Sequence, residues 1–194
     1  MARPIGLAKT DVLAAAADIV DEEGVDRLTV SRLAGRLGVR SQSLYFHIDG
    51  VVGLRRDLIL HGLEVQARSL EAAVSGKEGR DALLALMEEL VRGYRDHPGV
   101  GRLIAWSQPD NSDDELFRAL TVATDPLTNL LATYGLTEED LAHWRRIIWT
   151  SLHGFVSLEL AGRFTFPADS DRSLRLLMEL FADGLERARR PQPA

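Results

Sequence analysis

The 194-residue chain has no cysteine, two lysines (Lys9 and Lys77) against 21 arginines, and no long apolar run. Without cysteine there can be no disulfide, thiol nucleophile or thiolate metal site, which fits a reducing compartment. No stretch approaches the roughly 18 consecutive apolar residues of a membrane-spanning helix. The start Met1-Ala2-Arg3-Pro4 leads into no signal-peptide core. The expectation is a cytoplasmic protein. Period-two alternation of β-branched residues is also scarce, so no strand is predicted.

What is present is ordinary globular composition: 45% hydrophobic and 27% charged residues. The length allows either one compact unit or a small head on a larger body. A net charge of −6 argues against a nucleic-acid partner until its distribution is considered. Residues 1–48 carry six basic and six acidic side chains, so the whole excess of negative charge lies in residues 49–194. Arg27, Arg32, Arg36 and Arg40 have no acidic residue among them after Arg27, up to Ile48. They form a local basic stripe, although genomic base composition favouring arginine gives the same pattern.

Apolar residues recur three and four apart almost throughout, with Gly or Pro as punctuation, which predicts an all-α fold of about nine helices. The first runs from a cap at Thr10 to Gly24, and Thr29 caps a short second helix that Gly38 stops. Ser41 opens a third helix containing Leu44, Tyr45 and Phe46, and Asp49 caps a long fourth reaching about Val74. The fifth presents Leu83, Met87, Leu90, Val91 and Tyr94, and the sixth starts near Pro98. Ser112 and Glu115 have capping-box spacing before a seventh helix in which Pro126 predicts a kink. Thr137 starts the eighth, ending near Gly162, and a ninth carries Leu174, Leu177, Phe181 and Leu185.

The informative segment runs from Thr29 to His47. Two short helices that cross steeply need a small residue where they approach, which Ala34 supplies, and a turn tolerant of positive φ, which Gly38 supplies. Leu33, Leu37, Val39 and Leu44 then cover the inner faces. An ordinary helical hairpin shows the same spacing, so the outward residues must discriminate. Arg40, Ser41, Gln42 and Ser43 include no carboxylate and few apolar atoms. Gln pairs with adenine edges and Arg with guanine in a major groove, each good bidentate contact discriminating by about 1–3 kcal/mol. Tyr45 and His47 are placed to reach phosphates, and Phe46 serves either packing or DNA contact.

Residues 10–60 resemble the N-terminal domain of the bacterial tetracycline-repressor (TetR) family. The likeness rests on Glu23-Gly24, Leu28-Thr29, Leu33-Ala34, Leu37-Gly38-Val39 and Leu44-Tyr45-Phe46-His47-Ile48 before Leu54. The resemblance implies a helix-turn-helix head (residues 1–56) and a helical effector-binding and dimerisation domain (57–194), with a homodimer formed through the last two helices. It implies that Thr29 touches phosphate and that Ser31, Arg40, Ser41, Gln42, Ser43, Tyr45 and His47 lie at the groove of a duplex operator. The function expected is a ligand-responsive regulator, in its usual direction a repressor released by a small molecule. Family members often have Lys at the start of the fourth helix, where this chain has Val51, and Arg55 and Arg56 are the neighbouring cations. Further on, Ser151-Leu152-His153-Gly154-Phe155 resembles a subgroup that often has Trp before the His-Gly pair.

The candidate pocket residues are Tyr94, Trp106, Phe117, Trp144, Trp149 and His153, since small-molecule sites are largely apolar and aromatic. Plain core is the competing role for each. Two rival functions remain. An enzyme lacks support: Ser151 and His153 are two apart, about 200° around a helix, and neither a phosphate-binding glycine loop nor a His-Glu-x-x-His pattern occurs, so no cofactor or metal is expected. A helical interaction module that has lost DNA binding has Val51 as its only hint.

Overall fold

The computed structural model of the chain describes residues 7–107 and 114–189. Among them are nine α-helices: α1 (Lys9–Glu23), α2 (Val30–Leu37), α3 (Ser41–Leu44), α4 (Gly50–Val74), α5 (Gly79–Asp96), α6 (Pro98–Ala105), α7 (Asp114–Ala132), α8 (Glu138–Leu160) and α9 (Ser170–Ala188). A 3-10 turn, Val25–Arg27, joins α1 to α2, and no strand is present among the described residues.

Thr29 and Thr137 cap α2 and α8 as their sequence positions predict. Thr29 accepts a hydrogen bond from the Arg32 N–H at 3.1 Å and Thr137 one from Asp140 at 3.1 Å, each satisfying an otherwise orphaned donor. The start of α1 differs from expectation. Its N-cap is Ala8 rather than Thr10, because the Asp11 carboxylate accepts from the Ala8 N–H at 3.0 Å and fixes the first turn two residues earlier. α3 is also shorter than expected, loosening into a turn after Leu44. Pro126 is buried within α7, which runs on through it. Ser112 of the expected capping box, the loop 108–111 and the tail beyond Arg189 lie outside the described residues.

The chain divides into two compact units, one comprising residues up to Leu63 together with His97–Leu116, the other Glu64–Asp96 together with residues from Phe117 onward. α4 is continuous across the division.

In the first unit, called the head below, Val12, Ala16 and Ile19 of α1, Leu33 of α2, Leu44 of α3 and Leu54 of α4 are fully buried. α6 packs on α1 here. Gly99 marks the closest approach: a Cβ at this position would stand 2.2 Å from the Val20 carbonyl oxygen. Asp21 caps α6 from across the contact, one carboxylate oxygen accepting from the N–H groups of Gly99 (2.7 Å) and Val100 (3.0 Å). Its other oxygen lies 2.9 Å from His97 Nδ1.

The second unit, the body, is built around Leu83, Leu86, Met87 and Leu90 of α5, with Leu127 and Leu131 of α7, Ile148 and Leu152 of α8 and Met178 and Phe181 of α9. Arg95 of α5 pairs with Glu159 of α8 and Asp171 of α9, both at 2.8 Å, and Arg80 pairs with Asp183 at 2.7 Å and with Glu179. No polar or charged residue is buried among the described residues, and no helix there is long and apolar enough to cross a membrane.

Candidate nucleic-acid interface

The turn between α2 and α3 has the geometry its sequence demands. Gly38 adopts the left-handed conformation (φ 65°, ψ 28°) and its N–H returns to the Ala34 and Gly35 carbonyls, closing α2. Ala34 is 3% exposed, leaving room for α3 to approach. Leu33 and Leu44 are sealed from solvent, whereas Leu37 and Val39 are only half-buried.

That inner clamp leaves the other face open. Ser31, Arg40, Ser41, Gln42 and Ser43 are exposed, Tyr45 is 60% exposed and His47 is half-buried. The side chains of Arg40, Ser41, Gln42, Ser43 and Tyr45 make no hydrogen bond or ion pair among the described residues. Their donors and acceptors are unspent. Thr29, also exposed, uses a hydroxyl lone pair as the α2 cap, so its O–H proton remains available to donate. It sits where the α2 dipole favours an anion.

The basic stripe is corrected by the fold. Arg32 forms a bidentate pair with Glu23 (2.7 and 3.1 Å), and Arg36 one with Glu22 (2.6 and 2.7 Å). α2 crosses α1 so that carboxylates nine and fourteen positions earlier neutralise two of the four arginines. The Arg36 guanidinium holds the Glu22 carboxyl below the usual carboxylate range. Near Val51, Arg55 donates to the Val25 carbonyl at 3.1 Å and Arg56 pairs with Glu115 at 2.8 Å. Both cations next to the missing lysine are thus engaged within the head.

The six aromatic candidates separate into groups. In the body, Tyr94, Trp149 and His153 meet: the Tyr94 ring stands edge-to-face to His153 at 4.7 Å and to Trp149 at 6.4 Å. His153 Nδ1 is buried with no hydrogen-bond partner. Burial lowers the His153 pKa and pushes the Tyr94 hydroxyl up, so both are neutral near pH 7. Trp144 packs instead on α9, where Gly184 makes room for its ring. Trp106 belongs to the head and is 79% exposed, and Phe117, at 65%, is exposed on the body.

Comparison with known proteins places this arrangement. The family model described as tetracyclin repressor-like, C-terminal domain, matches residues 83–181. The chain is 33% identical over 189 residues to the HTH-type transcriptional regulator Rv0681 of Mycobacterium tuberculosis, covering 96% of this chain and 85% of the relative. The chain belongs to the tetracycline-repressor family. Its fold recurs in a TetR variant from Acinetobacter baumannii AYE in complex with minocycline, with a TM-score of 0.71, 21% identity and coverage of 95% of this chain and 99% of that one. It recurs also in BioQ bound to its natural double-stranded DNA operator, with a TM-score of 0.64, 23% identity and coverage of 93% and 98%.

Two features of this TetR-family chain escape its sequence pattern. Phe46, which the sequence leaves open between packing and DNA contact, is 90% exposed, four positions after Gln42 and so one turn on the same side. The α8–α9 connection also forms a pocket of about 290 Å³ lined by Phe155, Arg163, Phe164, Phe166 and Ser170. Residues so close to a loop carry no periodicity that would announce a cavity.

Proposed function

We propose that this TetR-family regulator is a repressor that binds a near-palindromic duplex operator as a homodimer and is released by a small-molecule effector. The observation that carries this reading is the outward face of Arg40, Ser41, Gln42, Ser43 and Tyr45: exposed, free of intramolecular partners and without a carboxylate, above a sealed Leu33–Leu44 contact. Residues 1–56 read DNA. Gln42 and Arg40 address base edges, Ser31, Ser41 and Ser43 add shorter contacts at the groove, and Thr29, Tyr45 and His47 hold phosphates. BioQ with its operator supports the DNA assignment by analogy of fold.

Residues 57–194 dimerise and sense. Ile147, Leu158 and Leu160 of α8 and Leu176 and Leu180 of α9 are exposed in the single chain. Ile147, Ser151, Gly154 and Leu158 follow one another at four, three and four positions, a stripe with small residues at its centre that suits close helix packing. A second copy packing there spaces two heads about 34–36 Å apart, one helical turn of DNA. The effector contacts Tyr94, Trp149 and His153, and the minocycline complex supports a small-molecule site in this fold. α4, continuous from head to body, carries the response. Taking the population from 1:99 to 99:1 requires about 5.5 kcal/mol of differential effector affinity between the two states.

The test is selection of random duplexes by the purified protein, followed by affinities of the wild type, Gln42→Ala and Tyr45→Ala at several salt concentrations. An enriched inverted repeat on which both variants weaken, Gln42→Ala by about 1–3 kcal/mol, is expected. Failure to enrich any motif, or affinity indifferent to both substitutions, overturns the DNA-reading assignment. Sedimentation checks the dimer, which fails if the mass stays at the 21.4 kDa of one chain at every concentration.

A further inference from the structure

Phe46 is the most exposed large hydrophobic residue described, at 90%. Its direction is fixed by the residues on either side. Leu44 and Ile48 are both buried (0% and 5%), and the turn after α3 returns the His47 and Ile48 N–H groups to the Leu44 carbonyl at 2.8 and 3.0 Å, so the backbone stays near a helical path as far as Ile48. At about 100° per residue, Gln42 lies about 160° and Phe46 about 200° around from Leu44. The two side chains therefore straddle the pole of the outward face, one turn apart. Ser43 and Tyr45 flank them.

A major groove presents one apolar group to such a ring, the 5-methyl of thymine. We propose that Phe46 reads sequence by packing its ring on a thymine methyl, one or two base pairs from the pair that Gln42 contacts. The offset follows from dimensions: four residues advance about 6 Å along a helix, against about 3.4 Å per base step. The ring has no donor or acceptor, so it cannot select by hydrogen bonding. It favours the pair that offers an apolar contact and loses that contact at cytosine, which lacks the methyl. This assignment rests on the DNA-reading function proposed above and adds a discriminating position to it. A sugar or phosphate contact is the competing role for the same ring, and it carries no sequence preference.

The two are separated by removing only the methyl. On the selected operator, each thymine is replaced singly by deoxyuridine, and the full-length wild type, Phe46→Leu and Phe46→Ser are titrated at fixed salt by fluorescence anisotropy. Circular dichroism confirms that each variant is folded. The expected result is one thymine per half-site whose demethylation weakens wild type about fourfold, and about fifteenfold when both half-sites are changed, from the transfer value of a single methyl-sized group. Phe46→Ser binds the thymine and deoxyuridine duplexes alike at that position, and Phe46→Leu keeps part of the preference. The proposal is overturned if wild type ignores every thymine-to-deoxyuridine change while Phe46→Ser loses affinity uniformly, the signature of backbone contact. It is overturned equally if Phe46→Ser retains the full methyl preference. Failure to select any operator removes the DNA-reading function itself, a result distinct from both.

Discussion

The head and the body bury their apolar residues alike and expose different chemistry. Across α3 the head turns out serines, a glutamine, an arginine and two aromatic rings, while two further arginines are paired behind that face to carboxylates of α1. The last two helices of the body turn out leucine and isoleucine, and its arginines Arg80 and Arg95 tie α5 to α8 and α9. A surface that meets nucleic acid must be content in water before binding. One that meets a copy of itself gains most from apolar area. The proposed duplex and the proposed second copy thus each match what their region leaves unsatisfied.

The sharpest way to test this contrast is to truncate one core residue in each region. Leu44→Ala and Leu86→Ala each empty a fully buried site and are expected to cost about 2–5 kcal/mol, read as a lower urea midpoint. Leu44→Ala must also abolish operator binding at temperatures where the protein is folded, whereas Leu86→Ala must leave operator affinity within about threefold. Equal loss of affinity in both variants would erase the functional distinction between the regions.

Gly99→Ala comes next. With its new Cβ 2.2 Å from a backbone oxygen, relief requires α6 to move off α1, at an expected cost of about 3 kcal/mol. An unchanged denaturation midpoint would contradict the close approach. Asp21→Ala removes the α6 cap without adding a clash, and about 1 kcal/mol is expected. Its diagnostic is faster amide exchange at Gly99 and Val100, with the body's amides unaffected.

The smallest effect belongs to His153. Its pKa is lowered by burial, so the unfolded chain takes up a proton first as pH falls. The contribution is complete above the unfolded value of about 6.5 and is lost progressively as pH descends toward the lowered folded value. Wild type should therefore lose thermal stability between pH 7 and 5.5 more steeply than His153→Phe. Parallel profiles would mean that the imidazole is solvated.

The same division governs how much was legible in the sequence. The helix-turn-helix lies within twenty consecutive residues, so Thr29, Ala34, Gly38 and Leu44 can be read locally, and the helix order follows from apolar period and caps. The pairing of Arg32 with Glu23 and of Arg36 with Glu22 depends on how α2 crosses α1, which no local pattern encodes. Phe46 was ambiguous because a buried and an exposed ring look alike until the helix is given a partner. In the body, Tyr94 meets Trp149 and His153 from another helix more than fifty residues away. Trp106 and Phe117 share their composition but not their surroundings.

The pairing of Arg32 and Arg36 inside the head bears on how the protein finds its site in a cell. Sequence-independent hold on a chromosome comes from cations that displace counterions from phosphates, and a chromosome offers about a million or more such decoy positions. Arginines already paired with Glu22 and Glu23 contribute little to that hold. A larger share of the copies is then free in solution, and occupancy of the true site follows copy number more than the quantity of bystander DNA.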